Sequence, residues 1–227
     1  MRNRILFLLA FCGLIASASA QSNFNRYNFT AGGGEGIGRA DVAAYVGNSF
    51  QGVAGGGINF NRMFGVDAEY MYYDLNFRPS VKLGQALANQ SGNMQSISLD
   101  GIVTVPRHLG KLGAYGIFGL GFYRRSVSIP SVFRANGTIY QPAWRWWDLT
   151  WVNYQLPNPV IFNPGPPYGE TMSSNSKDAG GFNYGGGLTY RLNHLHNSKV
   201  YVEWRYHRAY QSDGKTIVMP ITVGLRW

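Results

Sequence analysis

Beyond its first twenty residues the chain has no cysteine, no cluster of Lys and Arg, and no run of about 18 apolar residues. Without cysteine a disulfide framework is excluded, so an exported chain must gain stability elsewhere, for example from a closed barrel in lipid. The lack of a basic cluster argues against a nucleic-acid partner, although the formal net charge is +9. A basic exported protein instead suits anionic lipid headgroups. The lack of a long apolar run excludes a transmembrane helix.

The first twenty residues have the three parts of a secretory signal peptide. Arg2 and Arg4 form a basic start, residues 5–15 are apolar, and the small residues of Ala18-Ser19-Ala20 form a cleavage site. The apolar part is too short to span a bilayer. Cleavage is therefore expected after residue 20, which leaves residues 21–227 as one domain.

The final stretch, residues 216–227, alternates with a period of two. Every second residue is large and apolar, and apart from Val218 the intervening residues are small or polar. This period predicts a strand with two different faces, and the pattern suits lipid on one face and a polar barrel interior on the other. Pro220 cannot donate a ladder hydrogen bond, so we expect a bulge there.

Seven further stretches resemble strands, although the second and fifth are rich in glycine and alternate poorly. The eight predicted strands cover residues 25–33, 49–60, 64–77, 93–105, 113–128, 180–192, 199–210 and 216–227. Short connections follow the second, fourth and sixth strands, and long connections follow the first, third and fifth, as in outer-membrane barrels. The connection at 211–215 is intermediate. The prediction is an all-β, eight-stranded antiparallel transmembrane β-barrel with long outer loops and both termini in the periplasm.

Three segments carry a resemblance to a known family: F-N-Y-G-G-G-L-T-Y-R-L at 182–192, K-V-Y-V-E-W-R-Y at 199–206, and P-I-T-V-G-L-R-W at 220–227. They resemble the closing strands of small outer-membrane β-barrel proteins of the OmpA-transmembrane-domain and opacity-protein type. The resemblance implies a lipid-embedded barrel in the outer membrane. It also implies that the last strand, ending on the aromatic Trp227, is the signal read by the barrel-assembly machinery.

The predicted inner faces carry charges of both signs. They comprise Asp67, Glu69, Asp100, Glu203, Arg191, Arg205 and Arg226. Eight strands leave an interior just wide enough for side chains, so we expect an ion-pair network that fills the lumen, with Glu203 paired to Arg191 and Arg226. A gated pore or proton path is the alternative.

No catalytic, cofactor-binding or metal residue is predicted. His207 has no Ser two residues later, unlike lipid A deacylase barrels, and we expect it to be a strand-end residue. His194 and His196 lie in a short turn, where they could hold a metal only with outside ligands. Neither glycine run, residues 32–38 or residues 214–216, fits a phosphate motif, so both are interpreted as turns.

The third outer loop, residues 130–177, holds seven of the ten prolines and four of the six tryptophans. Its binding candidates are Trp144, Arg145, Trp146, Trp147 and Trp151, which suit an extracellular glycan or protein. A self-packed cap or an aromatic girdle is an equal alternative. A further hairpin at 139–154 would make ten strands.

These patterns predict an integral outer-membrane protein with a structural or surface-interaction role and no catalytic activity. One alternative is a barrel enzyme acting on outer-membrane lipid, which needs a nucleophile and a base together near the membrane surface. Another is a soluble periplasmic, lipocalin-like binder with the two faces of each strand reversed. Period alone cannot distinguish the inside of a barrel from its outside.

Overall fold

A computed structural model describes most of the chain beyond the predicted signal peptide. The described residues are 25–40, 42–43, 46–77, 91–105, 111–130, 133–135, 138–144, 149–154, 172–192, 198–211 and 214–227. Within these ranges no helix is long and apolar enough to cross a membrane.

Eight antiparallel strands close into a barrel, which confirms the predicted fold class. The barrel strands are β1 (Tyr27–Arg39), β2 (Ser49–Asn59), β3 (Phe64–Asp74), β4 (Ser91–Thr104), β5 (Leu112–Pro130), β9 (Met172–Arg191), β10 (Lys199–Gln211) and β11 (Gly214–Arg226). Their spatial order is β1-β11-β10-β9-β5-β4-β3-β2, and β1 closes the ring by pairing with both β2 and β11.

The strands are strongly staggered. The hydrogen-bonded register, followed once around the barrel from Lys199, returns to β10 at Ala209, ten residues further along that strand. In a narrow barrel such a stagger corresponds to strands tilted by about 35–45° from the axis. Side chains from distant parts of the chain therefore meet inside at one level.

Polar residues face the interior of the barrel and apolar residues face outward. On β10, Glu203 and Arg205 are each 3% exposed, whereas Val202 and Trp204 are 48% and 43% exposed. The same division holds on β11, where Thr222 is buried and Ile221 and Val223 are exposed. A soluble barrel would need the reverse arrangement, so the lipocalin-like alternative is wrong.

The first strand is longer than predicted. β1 runs through the glycines at 32–38 to Arg39, and the second glycine run opens β11, so neither run is a turn. Glycine is suited to these strands because bulky interior side chains from neighbouring strands lie over it.

The expected bulge at Pro220 is absent. Trp204 pairs with Ile221 and His207 pairs with Val218, so equal numbers of residues separate the pairs on both strands. Only the two intervening pairs are missing from the β10–β11 ladder, where the proline has no N–H to donate. On its other side Pro220 stays in register with Gly36 of β1. The β10–β11 connection is also shorter than predicted, with two residues between the strand ends.

The third outer connection begins later than predicted, because β5 and β9 stay paired as far as Pro130 and Met172. Beyond that point lies a separate three-stranded sheet of β6 (Phe133–Ala135), β7 (Thr138–Trp144) and β8 (Leu149–Tyr154). The predicted extra hairpin is therefore present, with Ile139 paired to Tyr154, but the barrel keeps eight strands.

The two ends of the barrel differ in their connections. We call one end the long-loop end. Its strands are connected by residues 40–48, 75–90 and 131–171, and by the two-residue β10–β11 connection. The short-turn end is defined by residues 60–63, 105–111 and 192–198.

Candidate functional site

Arg205 is the centre of a charged network inside the barrel. Its Nη2 donates to Glu69 Oε2 at 2.8 Å, its Nη1 donates to Asp100 Oδ2 at 3.0 Å, and its Nε donates to Glu203 Oε1. All four side chains are almost fully buried. One guanidinium thus joins carboxylates from β3, β4 and β10, and its planar fork of donors suits this role.

Neutral side chains donate further hydrogen bonds to two of these carboxylates. Tyr115 donates its hydroxyl to Glu203 Oε2 at 2.6 Å. Asp100 accepts from Ser98 Oγ and from Asn183 Nδ2, each at 2.8 Å. Because buried carboxylates are costly unless they are paired and hydrogen-bonded, these contacts stabilise the network.

Arg226 lies at the edge of the network. Its Nη2 is 4.0 Å from Glu203 Oε2, and its guanidinium lies over the Tyr115 ring at 4.5 Å from the ring centre. A second ring, that of Tyr201, is 5.4 Å away. Cation–π contacts of this kind stabilise a desolvated guanidinium.

Two of the predicted network residues occupy different positions from the rest. Asp67 is buried beside Asp100 in the register, but its Oδ1 has no hydrogen-bond partner. Arg191 is exposed and opposes Lys199 at the short-turn end, six residues and so about 20 Å along β10 from Arg205. Among the described residues Arg191 makes no ion pair, so its expected pairing with Glu203 is wrong.

The interior tyrosines of β3 and β5 are part of the lumen, although the sequence pattern did not predict this. Tyr115 holds Glu203, and Tyr123 holds His207 with its hydroxyl 3.0 Å from Nδ1. A glycine opposite each ring was the sequence feature that could have indicated a bulky interior side chain there. At Gly187, for example, an added Cβ would lie 2.6 Å from the Tyr115 hydroxyl oxygen.

His207 is an interior residue and not the expected strand-end residue. It is 2% exposed and its ring meets Tyr123 edge-on, with 6.0 Å between ring centres. This position gives it no access to a lipid substrate. The other three histidines, His108, His194 and His196, lie outside the described residues. In the part of the chain that the structure describes, no group of three or more His, Cys, Asp or Glu residues could hold a metal ion.

An apolar cap covers the network on its long-loop side. Val46 forms an isolated bridge with Phe77, and Gly47 donates its N–H to the Asn76 carbonyl at 2.8 Å, so two loops meet there. Their side chains pack into one cluster with strand residues. This apolar cap consists of Val42, Val46, Met71, Tyr73, Leu75, Phe77, Met94, Tyr123, Val127, Ala179, Ala209 and Val218.

Network and cap together close the lumen. Asp100, Asn183, Gln51 and Tyr73, which belong to four different strands, are 0% exposed. A water-filled passage along the axis would expose some of these interior atoms. The arrangement therefore supports a packed interior and not a conducting one.

The loop candidates are only partly within the described residues. Trp144 ends β7 and Trp151 lies in β8, so the backbone places both tryptophans on neighbouring strands of the small sheet. Arg145, Trp146 and Trp147 lie outside the described residues. Trp227 exchanges two backbone hydrogen bonds with Phe29, at 2.9 and 3.0 Å, on the seam where β11 meets β1.

Comparison with known proteins agrees with this architecture. The model of a family described as outer membrane protein beta-barrel domain matches residues 6–227. No curated protein matches the sequence. Neisserial surface protein A is similar in fold, with 12% identity and a TM-score of 0.55 over 88% of this chain and 95% of that chain. A major outer membrane protein from Thermus thermophilus has 13% identity and a TM-score of 0.53 over 88% and 98%. Ail of Yersinia pestis has 15% identity and a TM-score of 0.45 over 88% and 97%.

Proposed function

The chain belongs to the outer membrane protein beta-barrel domain family, and from this premise we propose that it has a structural or surface-interaction role without catalytic activity. The protein is an outer-membrane barrel, and the role we assign is exercised at the long-loop end, facing the cell exterior. Export through a signal peptide cleaved after residue 20 fits this location. The mature domain is then residues 21–227.

The closed lumen is the observation that carries this proposal. Arg205 and its three carboxylate partners fill the interior, and the apolar cap covers them on the side of the long loops. Within the described residues, an interior filled by its own side chains leaves little room for a solute path or a bound ligand. Interaction with other molecules is then left to the outer surface and the loops.

The third outer connection is the proposed contact with a partner. Trp144, Arg145, Trp146, Trp147 and Trp151 combine aromatic faces with a guanidinium, which suits an extracellular glycan or protein. The barrel itself contacts outer-membrane lipids through its apolar outer face. Trp227, on the closing seam, is proposed as the residue read by the barrel-assembly machinery.

Replacement of residues 131–171 by a short Gly-Ser turn tests the surface role. Pro130 and Met172 are register partners, so the replacement joins two ends that already lie side by side. We expect the shortened protein to fold. Cells that carry it should no longer bind immobilised heparin, an anionic glycan, or matrix proteins. A second variant, Trp146→Ala with Trp147→Ala, should lose the same binding without shortening the chain. Binding that survives both changes would contradict the proposal.

A further inference from the structure

Two arginines flank one isoleucine on the outer face of three neighbouring strands. Arg39 of β1 and Arg208 of β10 both oppose Ile217 of β11 in the register. All three positions belong to the outward-facing set of their strands, and Arg39 is exposed while Arg208 is half-buried. Two interstrand spacings separate the arginines by about 10 Å. We call this group the arginine row.

An aromatic cluster shows the depth of the arginine row in the membrane. Arg208 opposes Phe182 in the register, and its guanidinium lies over Tyr210 at 5.2 Å from the ring centre. Outward-facing aromatic rings of β9 and β10, in contact at 5.0 to 6.4 Å between centres, surround Arg208: Phe182, Tyr184, Trp204, Tyr206 and Tyr210. Such girdles mark the interface between apolar band and headgroups.

The length of β10 gives the same depth. Val200 opposes Tyr190, an aromatic at the short-turn end, and Arg208 lies eight residues beyond it. At the tilt of a narrow barrel this distance is about 20 Å along the axis, close to the height of the apolar band. The arginine row therefore lies where the headgroups of the outer leaflet begin.

The charge of the arginine row has no neutralising partner among the described residues. No carboxylate of the described residues is within ion-pair distance of Arg39 or Arg208. A third outward arginine, Arg124, differs because Asp178 lies 3.8 Å from its Nε. Glu35 shares the outer face of β1, but it lies four residues before Arg39, about 13 Å down the strand.

An apolar column runs from the arginine row toward the membrane centre. On β11 the outward residues after Ile217 are Met219, Ile221 and Val223, and the last two are 47% and 52% exposed. Positive charge above an apolar column complements a lipid that carries phosphate on its headgroup and acyl chains below. Stacking on Tyr210 uses the face of the Arg208 guanidinium and leaves its N–H edge to donate to phosphate oxygens.

We propose that the arginine row binds the phosphate groups of an acylated, phosphorylated lipid of the outer leaflet, with its acyl chains on the β11 column. The inference rests on the proposed orientation, in which the long-loop end faces the outer leaflet. It adds a lipid site on the barrel wall, separate from the loop surface assigned to glycan or protein.

Titration of a fluorescent lipid A analogue into the full-length mature protein in neutral detergent tests the site. One arginine near an anionic surface typically changes affinity about fivefold, so Arg39→Gln and Arg208→Gln should each weaken binding by about that factor. The double variant should bind about thirtyfold more weakly. Arg124→Gln, the matched control on the same rim, should bind within about twofold of wild type because Asp178 already neutralises it.

Three results would overturn the site: no binding by the wild type, a double variant that binds like the wild type, or a loss in Arg124→Gln equal to that in Arg39→Gln. Electrophoresis of unboiled samples shows whether each variant is folded, and the single variants suffice if the double variant does not fold. The protein with residues 131–171 replaced keeps both arginines and should bind the analogue normally. A failure of the loop role and a failure of the lipid site are therefore distinguishable.

Discussion

The Asp100 carboxylate on β4 occupies the space above Gly119, its register partner on β5. A Cβ at Gly119 would collide with Asp100 Oδ1 and with the backbone carbonyl oxygen of Leu99. The position of Asp100 matters because it accepts hydrogen bonds from Arg205 and Asn183. A glycine on one strand thus makes room for a buried charge on the next.

Gly119→Ala should therefore destabilise the barrel by about 1–3 kcal/mol, the usual cost of overpacking a filled interior. The urea midpoint of unfolding in lipid vesicles measures this change. Gly116→Ala is the matched control on the same strand, because the nearest atom to its added Cβ is 3.9 Å away. Equal midpoints for the two variants would show that the space above Gly119 is not needed.

Arg205→Ala should cost about 3–5 kcal/mol of unfolding free energy, because it leaves three buried carboxylates without their shared cation. Glu203→Gln should cost less, since Arg205 keeps Glu69 and Asp100. Arg191→Ala is the control, and as an exposed arginine it should change stability by less than about 0.5 kcal/mol. The same urea titration separates these cases, and an Arg205→Ala midpoint equal to that of Arg191→Ala would contradict the network's role.

The wild-type protein should show no large, steady conductance in planar lipid bilayers. The reason is the packed interior, in which Asp100 and Tyr73 are inaccessible to solvent. Recordings at several voltages check this, with a general porin as positive control for insertion. Stable channels of uniform size would instead support the pore alternative.

The folded protein should migrate differently on SDS electrophoresis before and after boiling. A closed barrel satisfies all its ladder hydrogen bonds internally, so SDS alone does not unfold it. Extraction from cells should require detergent, because residues such as Leu120, 67% exposed, cover the outer face. Recovery in the soluble periplasmic fraction with no heat-dependent shift would be incompatible with a membrane barrel.

Mass spectrometry of the protein purified from outer membranes should give an N-terminus at Gln21. The expectation follows from the small residues at Ala18 and Ala20, which suit signal peptidase. Substitution of Ala20 by a bulky residue should cause unprocessed precursor to accumulate. A mature protein that still contains Arg2 and Arg4 would exclude cleavage.

The two faces of the strands were the feature of the fold that the sequence predicted best. The alternation on β10 and β11 correctly predicted which residues face inward, because a strand has only two faces. Glycine caused the largest error, since a run such as residues 32–38 is compatible with a turn or with a strand under bulky neighbours. Only the rings and carboxylates of adjacent strands distinguish these two cases. The bulge predicted at Pro220 was wrong for a related reason. A proline without an N–H can be accommodated by two missing pairs in one ladder, and no extra residue is needed.

The alternation of polar and apolar residues by itself determined that this chain forms two-faced strands, and glycines and aromatics suited them to a narrow barrel. Tertiary structure alone decided which charges meet. Arg205 binds Asp100 and Glu69, which are 105 and 136 residues away in sequence, and it leaves Arg191 out. The reason is the ten-residue stagger of the closed barrel, which brings Glu69, Asp100 and Arg205 to one level and places the end of β9 at another. Register around a closed ring is a property of all eight strands together, and no single strand encodes it.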